Sequence, residues 1–220
     1  MLIFYSSFPK EFYRDVRNCI VANNTVSPGS YLMKSHEERN QVVFIGTLYK
    51  EKYLDKLIKN FIIFKIQTHS SIELTIIGTG PEKEKLSELV ELNRAGNYIH
   101  FLGSMTDSRQ KDEALSNAIF AVSLNQAGLS VLECFSRGVP FVTKKTAITG
   151  GERLAIDDGI NGFLVEDEAE IVNILNLAVT NPIYFNELGL NAFKTYTTKW
   201  NHQNMVSKIA QGINVVTNDC

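Results

Sequence analysis

From Gln41 onward the chain alternates short runs rich in Val, Ile and Phe with longer amphipathic stretches. Strands buried on both faces read as near-continuous apolar runs, and helices that cover them carry one apolar stripe, so this alternation predicts a parallel sheet joined by crossover helices. Strands are expected near Val42–Gly46, Glu73–Gly78, Tyr98–Gly103, Ala118–Leu124, Val139–Thr143 and Gly162–Glu166, most of them bounded by Gly, Asn or Pro. The fold class is α/β, a Rossmann-like parallel sheet flanked by helices.

A first crossover helix is predicted over Lys52–Gln67, where Leu54, Leu57, Ile58, Phe61 and Ile62 recur at helical spacing and Lys56, Lys59 and Lys65 form a solvated face. A second follows Pro81, with Glu82 and Glu84 where the helix dipole favours negative charge and Leu86, Leu89 and Leu92 as its buried stripe. Helical patterns near Glu168–Val179, Pro182–Lys194 and Trp200–Ile213 close the chain. Residues 1–40 differ, being mixed in pattern with a Ser27-Pro28-Gly29 turn and a polar run from Ser35 to Asn40. They read as a lead-in segment and linker before a unit at 41–198 and a terminal helix at 199–220.

Composition excludes several classes. The 220 residues suit one domain with appendages, and 44% hydrophobic with 21% charged residues is the balance of a folded soluble protein. A net charge of -2 lacks the basic footprint of nucleic-acid binding. Cys19, Cys134 and Cys220 have no C-x-x-C spacing, and His36, His69, His100 and His202 are scattered, so neither a disulfide framework nor a metal site is expected. Met1–Lys10 has no leader pattern, and no apolar run approaches the ~20 residues of a membrane span. The expected location is cytoplasmic, including a peripheral place at the inner face of the membrane.

Ligands of open parallel sheets sit beyond the carboxyl ends of the strands. Four loops there stand out: Gly46-Thr47-Leu48 with Lys52, Gly78-Thr79-Gly80-Pro81, Asn125 to Glu133, and Thr149-Gly150-Gly151-Glu152. Gly128-Leu129-Ser130 precedes a helix ending at Gly138, a start whose unpaired amides suit an anion. Glu133 follows one turn later, where a carboxylate could accept from paired hydroxyls such as those of a ribose. Ser130 and Glu133 equally match the S-x-x-E capping box, a structural device. Gly78 and Gly80 lack the third glycine of a dinucleotide fingerprint and also read as a tight turn. Gly150 and Gly151 suggest a close backbone approach to a ligand.

Six segments in order, Val-Phe-Ile-Gly-Thr-Leu with Lys52, Leu-Thr-Ile-Ile-Gly-Thr-Gly-Pro-Glu, Ile-His-Phe-Leu-Gly-Ser, Ala-Gly-Leu-Ser-Val-Leu-Glu, Arg-Gly-Val-Pro-Phe-Val-Thr and Asp-Gly-Ile-Asn-Gly-Phe-Leu-Val, span roughly Gln41–Trp200. Together they resemble the carboxyl-terminal, donor-binding domain of the group 1 family of retaining glycosyltransferases, one half of the GT-B fold. Cys19–Thr25 resembles the short strand that ends the amino-terminal domain in that family, and the helix from Trp200 resembles the one that crosses back onto it.

The resemblance implies transfer of a sugar from a nucleoside-diphosphate sugar, with retention, to a glycan or lipid-linked acceptor in cell-surface polysaccharide synthesis. It implies no cofactor beyond the donor and no metal. It places the ribose on Glu133, the diphosphate near Lys52, Gly128, Leu129 and Ser130, and the donor sugar near Asn125, with Gly46, Thr47, Gly78, Gly80, Gly150 and Gly151 lining the site. Two positions depart from the family pattern. Thr47 stands where members carry Arg beside the Lys, and Asn125 replaces the first Glu of the paired-glutamate motif. The rival reading from another class is a non-catalytic nucleotide-sugar-binding module or partner subunit that meets its acceptor half in a separate amino-terminal-domain protein or by self-association. A nicotinamide oxidoreductase and a nucleotide-sugar epimerase are lesser alternatives.

Overall fold

A computed structural model describes residues 2–7, 19–31, 34–35 and 38–218. Eight strands and seven α-helices alternate along them. Strands β1 (Leu2–Phe4) and β2 (Cys19–Val21) precede β3 (Gln41–Ile45), α1 (Leu54–Thr68), β4 (Glu73–Ile77), α2 (Lys83–Leu92) and β5 (Ile99–Gly103). Then come α3 (Ser108–Ser116), β6 (Ala118–Val122), α4 (Ser130–Phe135), β7 (Phe141–Lys144), β8 (Gly162–Val165), α5 (Ile171–Thr180), α6 (Pro182–Lys199) and α7 (His202–Asn218).

Strands β3 to β8 form one six-stranded sheet in the order β5-β4-β3-β6-β7-β8, parallel throughout. The alternation along β3 divides the core. Val42 and Phe44 face a layer built from α1, α2, α5 and the start of α6, with Phe61, Leu86, Leu175 and Phe185 buried in it. Val43 faces the other layer, where Leu115 of α3, Phe135 of α4, Tyr196 of α6 and Trp200 just beyond it are buried. The order reverses between β3 and β6, which makes the crevice beyond their carboxyl ends the topological switch point. The expected α/β architecture is present, and each predicted strand of this sheet is found with its bounds shifted by at most two residues.

Several expectations are corrected. Leu92 is 83% exposed and Val90 fills its place in the α2 stripe, because the 3.6-residue period has rotated past the core by the end of the helix. Lys65 is only partly solvated: its ammonium donates to the Ser70 and Ile72 carbonyls and lies over the Tyr98 ring. Trp200 does not open the last helix. It caps α6 and is buried in the core, and α7 starts at His202. Ser27-Pro28-Gly29 forms no turn but runs in an extended strap. Helix α3 was not foreseen, although Asp107 caps it by accepting from the Arg109 and Gln110 amides. His36 and Cys220 lie outside the described residues.

The lead-in segment is a small structure of its own. Strands β1 and β2 pair in parallel, Leu2 with Cys19 and Phe4 with Val21, and α7 lies against β2. The strap that follows is tied to the larger unit by the Tyr196 hydroxyl donating to the Val26 carbonyl (2.8 Å) and by Thr25 donating to the Trp200 carbonyl.

Candidate functional site

The loops after β3 and β6 meet at the switch point. After β3 the backbone passes Gly46, at φ 151°, and turns through a short 3-10 helix at Lys50–Lys52. The Lys52 side chain folds back toward this glycine, its Nζ lying 3.9 Å from where a Gly46 Cβ would stand. The Asn125 amide crosses from the β6 loop to donate to the Glu51 carbonyl at 3.0 Å. Lys52 is half-buried, has no carboxylate within ion-pair distance among the described residues, and is held below the usual lysine pKa by desolvation. An unneutralised, partly dry ammonium at a switch point marks a candidate functional group.

Beside it a cleft of about 280 Å³ is walled by Gly46, Thr47, Gly78, Thr79, Ser104 and Met105, the ends of β3, β4 and β5. A smaller cavity of about 160 Å³, walled by Arg39, Ile72 and Ile119, sits at the opposite ends of the strands, away from these loops.

On the other side of Asn125 stands helix α4. Its ladder begins with Val131 donating to Gly128 and Glu133 donating to Leu129, so the amides of Gly128, Leu129 and Ser130 precede it. The space above Gly128 is open. The capping box expected of Ser130 and Glu133 does not form. Leu129 holds the cap position without a side-chain bond, whereas a capping box does join Asp167 and Glu170. Glu133 is engaged elsewhere, with Lys111 Nζ 2.7 Å and an Arg137 terminal nitrogen 2.9 Å from its Oε1. Arg137 in turn holds buried Asp112 at 2.7 Å. Lys111 and Asp112 belong to α3, so sequence reasoning missed them with the helix. The Asp107 cap ahead of a nine-residue polar stretch was the available signal.

The remaining glycines are explained by the chain's own packing. A Cβ on Gly78 would overlap the Gly46 carbonyl, and one on Gly80 would meet the Leu48 backbone at 2.7 Å. At Gly150 the nearest group is the Glu152 carboxylate, and at Gly151 the close approach is made to the lead-in segment. A Gly151 Cβ would overlap Ser6, and the adjoining buried Glu152 accepts from Asn24 at 3.1 Å. Among the described residues no group of His, Cys, Asp and Glu side chains could hold a metal ion, and no helix is long and apolar enough to cross a membrane.

A cleft beyond the carboxyl ends of β3, β4 and β5, beside the switch point of a six-stranded parallel sheet, is where open α/β folds hold their ligands. Residues 33–195 match the family described as Glycosyl transferases group 1, and the chain belongs to that family. It is 26% identical over 155 residues, 68% of this chain, to the alpha-monoglucosyldiacylglycerol synthase of Acholeplasma laidlawii, and spans 37% of that protein. It is 30% identical over 132 residues, 59% of this chain, to the poly(glycerol-phosphate) alpha-glucosyltransferase of Bacillus subtilis, and spans 19% of it. The fold matches a variant of TarM from S. aureus, solved with fondaparinux, alpha-GlcNAc-glycerol and UDP, at a TM-score of 0.81 and 20% identity. That match covers 97% of this chain and 43% of TarM. Anabaena HepE, solved with UDP, matches at 0.76 and 18% identity over 97% of this chain and 63% of its own. Both place this chain on one half of a GT-B glycosyltransferase.

Proposed function

We propose that this domain holds the nucleoside-diphosphate sugar in a retaining transfer to a glycan or lipid-linked acceptor hydroxyl. The observation that carries the reading is Lys52, an ammonium without a counter-charge among the described residues, partly stripped of water, at the switch point of the sheet. Charge develops on the diphosphate as the sugar departs, and a fixed cation in a poorly hydrated site stabilises it without reorganisation. Thr47 adds no charge at the position where the family pattern implied by the resemblance has Arg, so Lys52 takes the larger share, with the open turn at Gly128, Leu129 and Ser130 beside it. Asn125 offers its carbonyl oxygen to the donor sugar, since its amide nitrogen is committed to Glu51. Glu133 takes the ribose. The seating needs no metal. TarM and HepE, whose folds match this chain, were solved with UDP, which supports a nucleotide as the ligand.

The acceptor belongs to a second domain. Residues 1–40 are the tail of that domain and α7 crosses toward it, whether it lies on the same polypeptide or on another. Tyr49, Leu129, Ile148 and Leu154, each 45–54% exposed, stand in the loops at the carboxyl ends of β3, β6 and β7, an apolar rim suited to a facing wall.

Calorimetric titration with UDP and GDP tests the reading. Saturable binding of at least one, unchanged by EDTA and weakened by Lys52→Met, is expected. Failure of both to bind at millimolar concentration would refute it.

A further inference from the structure

We infer that Lys111 and Arg137 are positioning residues that orient Glu133 for the ribose of the donor, an inference that rests on the reading above. Both cations approach the same oxygen of the carboxylate, Lys111 Nζ at 2.7 Å and Arg137 at 2.9 Å from Oε1. Oε2 has no hydrogen-bond or ion-pair partner among the described residues. A carboxylate carries about four acceptor positions on two equivalent oxygens. Two charges on one of them remove the equivalence and hold the other in a single direction.

The bracing is itself rigid. Arg137 is fixed by Asp112 at 2.7 Å and by the Ser108 hydroxyl at 3.2 Å, both from α3, and a Cβ on Gly29 would overlap its guanidinium, so the strap closes over it. Helix α3 thus supplies the groups on two sides of Glu133: Lys111 directly and Asp112 through Arg137. An acceptor oriented before the ligand arrives avoids the ordering cost that a free glutamate incurs on binding. The two cations differ in what else they do. Arg137 is buried and joined to the core, whereas Lys111 is 20% exposed and pairs with Glu133 alone among the described residues. Lys111 therefore separates positioning from folding.

The test compares each nucleotide with its 2′,3′-dideoxy analogue by calorimetry, using the full chain and whichever of UDP or GDP the wild type binds. Two charge-assisted hydrogen bonds predict a wild-type preference of about ten- to a hundredfold for the ribonucleotide. Lys111→Met is expected to shrink that preference to about threefold or less by weakening the ribonucleotide alone. Lys111→Arg restores it, and Lys111→Gln repeats the result should Met disturb packing. A purely structural lysine would lower the melting midpoint but leave the preference intact. Lys111→Met and Lys111→Gln retaining the wild-type preference would overturn the inference while Glu133→Gln, by abolishing it, leaves the ribose role standing. A wild type that ignores the missing hydroxyls overturns both.

Discussion

Lys52 and Glu133 flank the same turn, yet they are built in opposite ways. Lys52 has its charge half-dried and unanswered, with a carbonyl-rich loop and a glycine around it, and no carboxylate within reach among the described residues. Glu133 is answered twice on one oxygen and through Arg137 is tied into a chain of alternating charges that ends on buried Asp112. An unanswered ion gains most when a ligand supplies its counter-charge, and a braced one gains by direction rather than by neutralisation. In the proposed reading Lys52 contributes affinity toward phosphate, and Glu133 discriminates a ribose from a sugar that lacks its hydroxyls.

The largest effect expected of breaking this contrast is at Arg137. Arg137→Met strands Asp112 as an uncompensated buried carboxylate and should lower stability by about 3–5 kcal/mol, read from a denaturant melt. Lys52→Met comes next. It should weaken nucleoside-diphosphate binding by about 1.5–3 kcal/mol, the range for a hydrogen bond to a charged group, with no loss of stability, since a desolvated cation has been removed. Calorimetry and a melt of the same sample read both.

The third prediction concerns pH. Burial holds the folded-state pKa of Lys52 below the usual 10.5, so binding is intact below that lowered value and declines as pH rises through it. Stability runs the other way, because between the two values the unfolded chain retains the proton longer and the folded state gains with rising pH. Titrations across the alkaline range should show the decline in the wild type and none in Lys52→Met. The smallest effect belongs to Lys145, paired with Glu166 on the surface. Lys145→Gln should leave nucleotide affinity and the melting midpoint unchanged within error, which isolates the effect at Lys52 from a general loss of positive charge.

The sheet was legible because its strands are apolar on both faces and end at Gly, Asn or Pro, a pattern with few alternatives. Helix α3 was not, since Ser108–Ser116 is almost wholly polar and buries little besides Asp112, Leu115 and Ser116. That omission carried into the site. Lys52 and Asn125 could be placed from the loops that follow β3 and β6, because the switch point draws those loops together in any sheet of this order. The setting of Glu133 could not, because Lys111 and Asp112 are on the unforeseen helix. For Glu133 the spacing offered a choice between capping and ribose binding. The structure excludes the cap and supplies a third element, the brace. Gly78, Gly80 and Gly151 illustrate the converse limit. The need for a bare backbone was readable, but whether the occupant is a ligand or the chain itself depends on packing between distant segments.

The register of β3 has a kinetic consequence. It is the first strand of the large sheet to be synthesised and the one at its centre, pairing Val43 with Thr75 on one edge and with Ala121 on the other. The β3–β4 half can close over the single crossover helix α1, but the second edge of β3 stays unsatisfied until β6 has emerged and the chain between has looped back. Long-range parallel pairings of this kind are slow to form and leave an apolar edge open meanwhile. Refolding is accordingly expected to be slow for the size of the chain, with the intermediate that aggregates being the one in which Val42 and Val43 still lack their β6 neighbours.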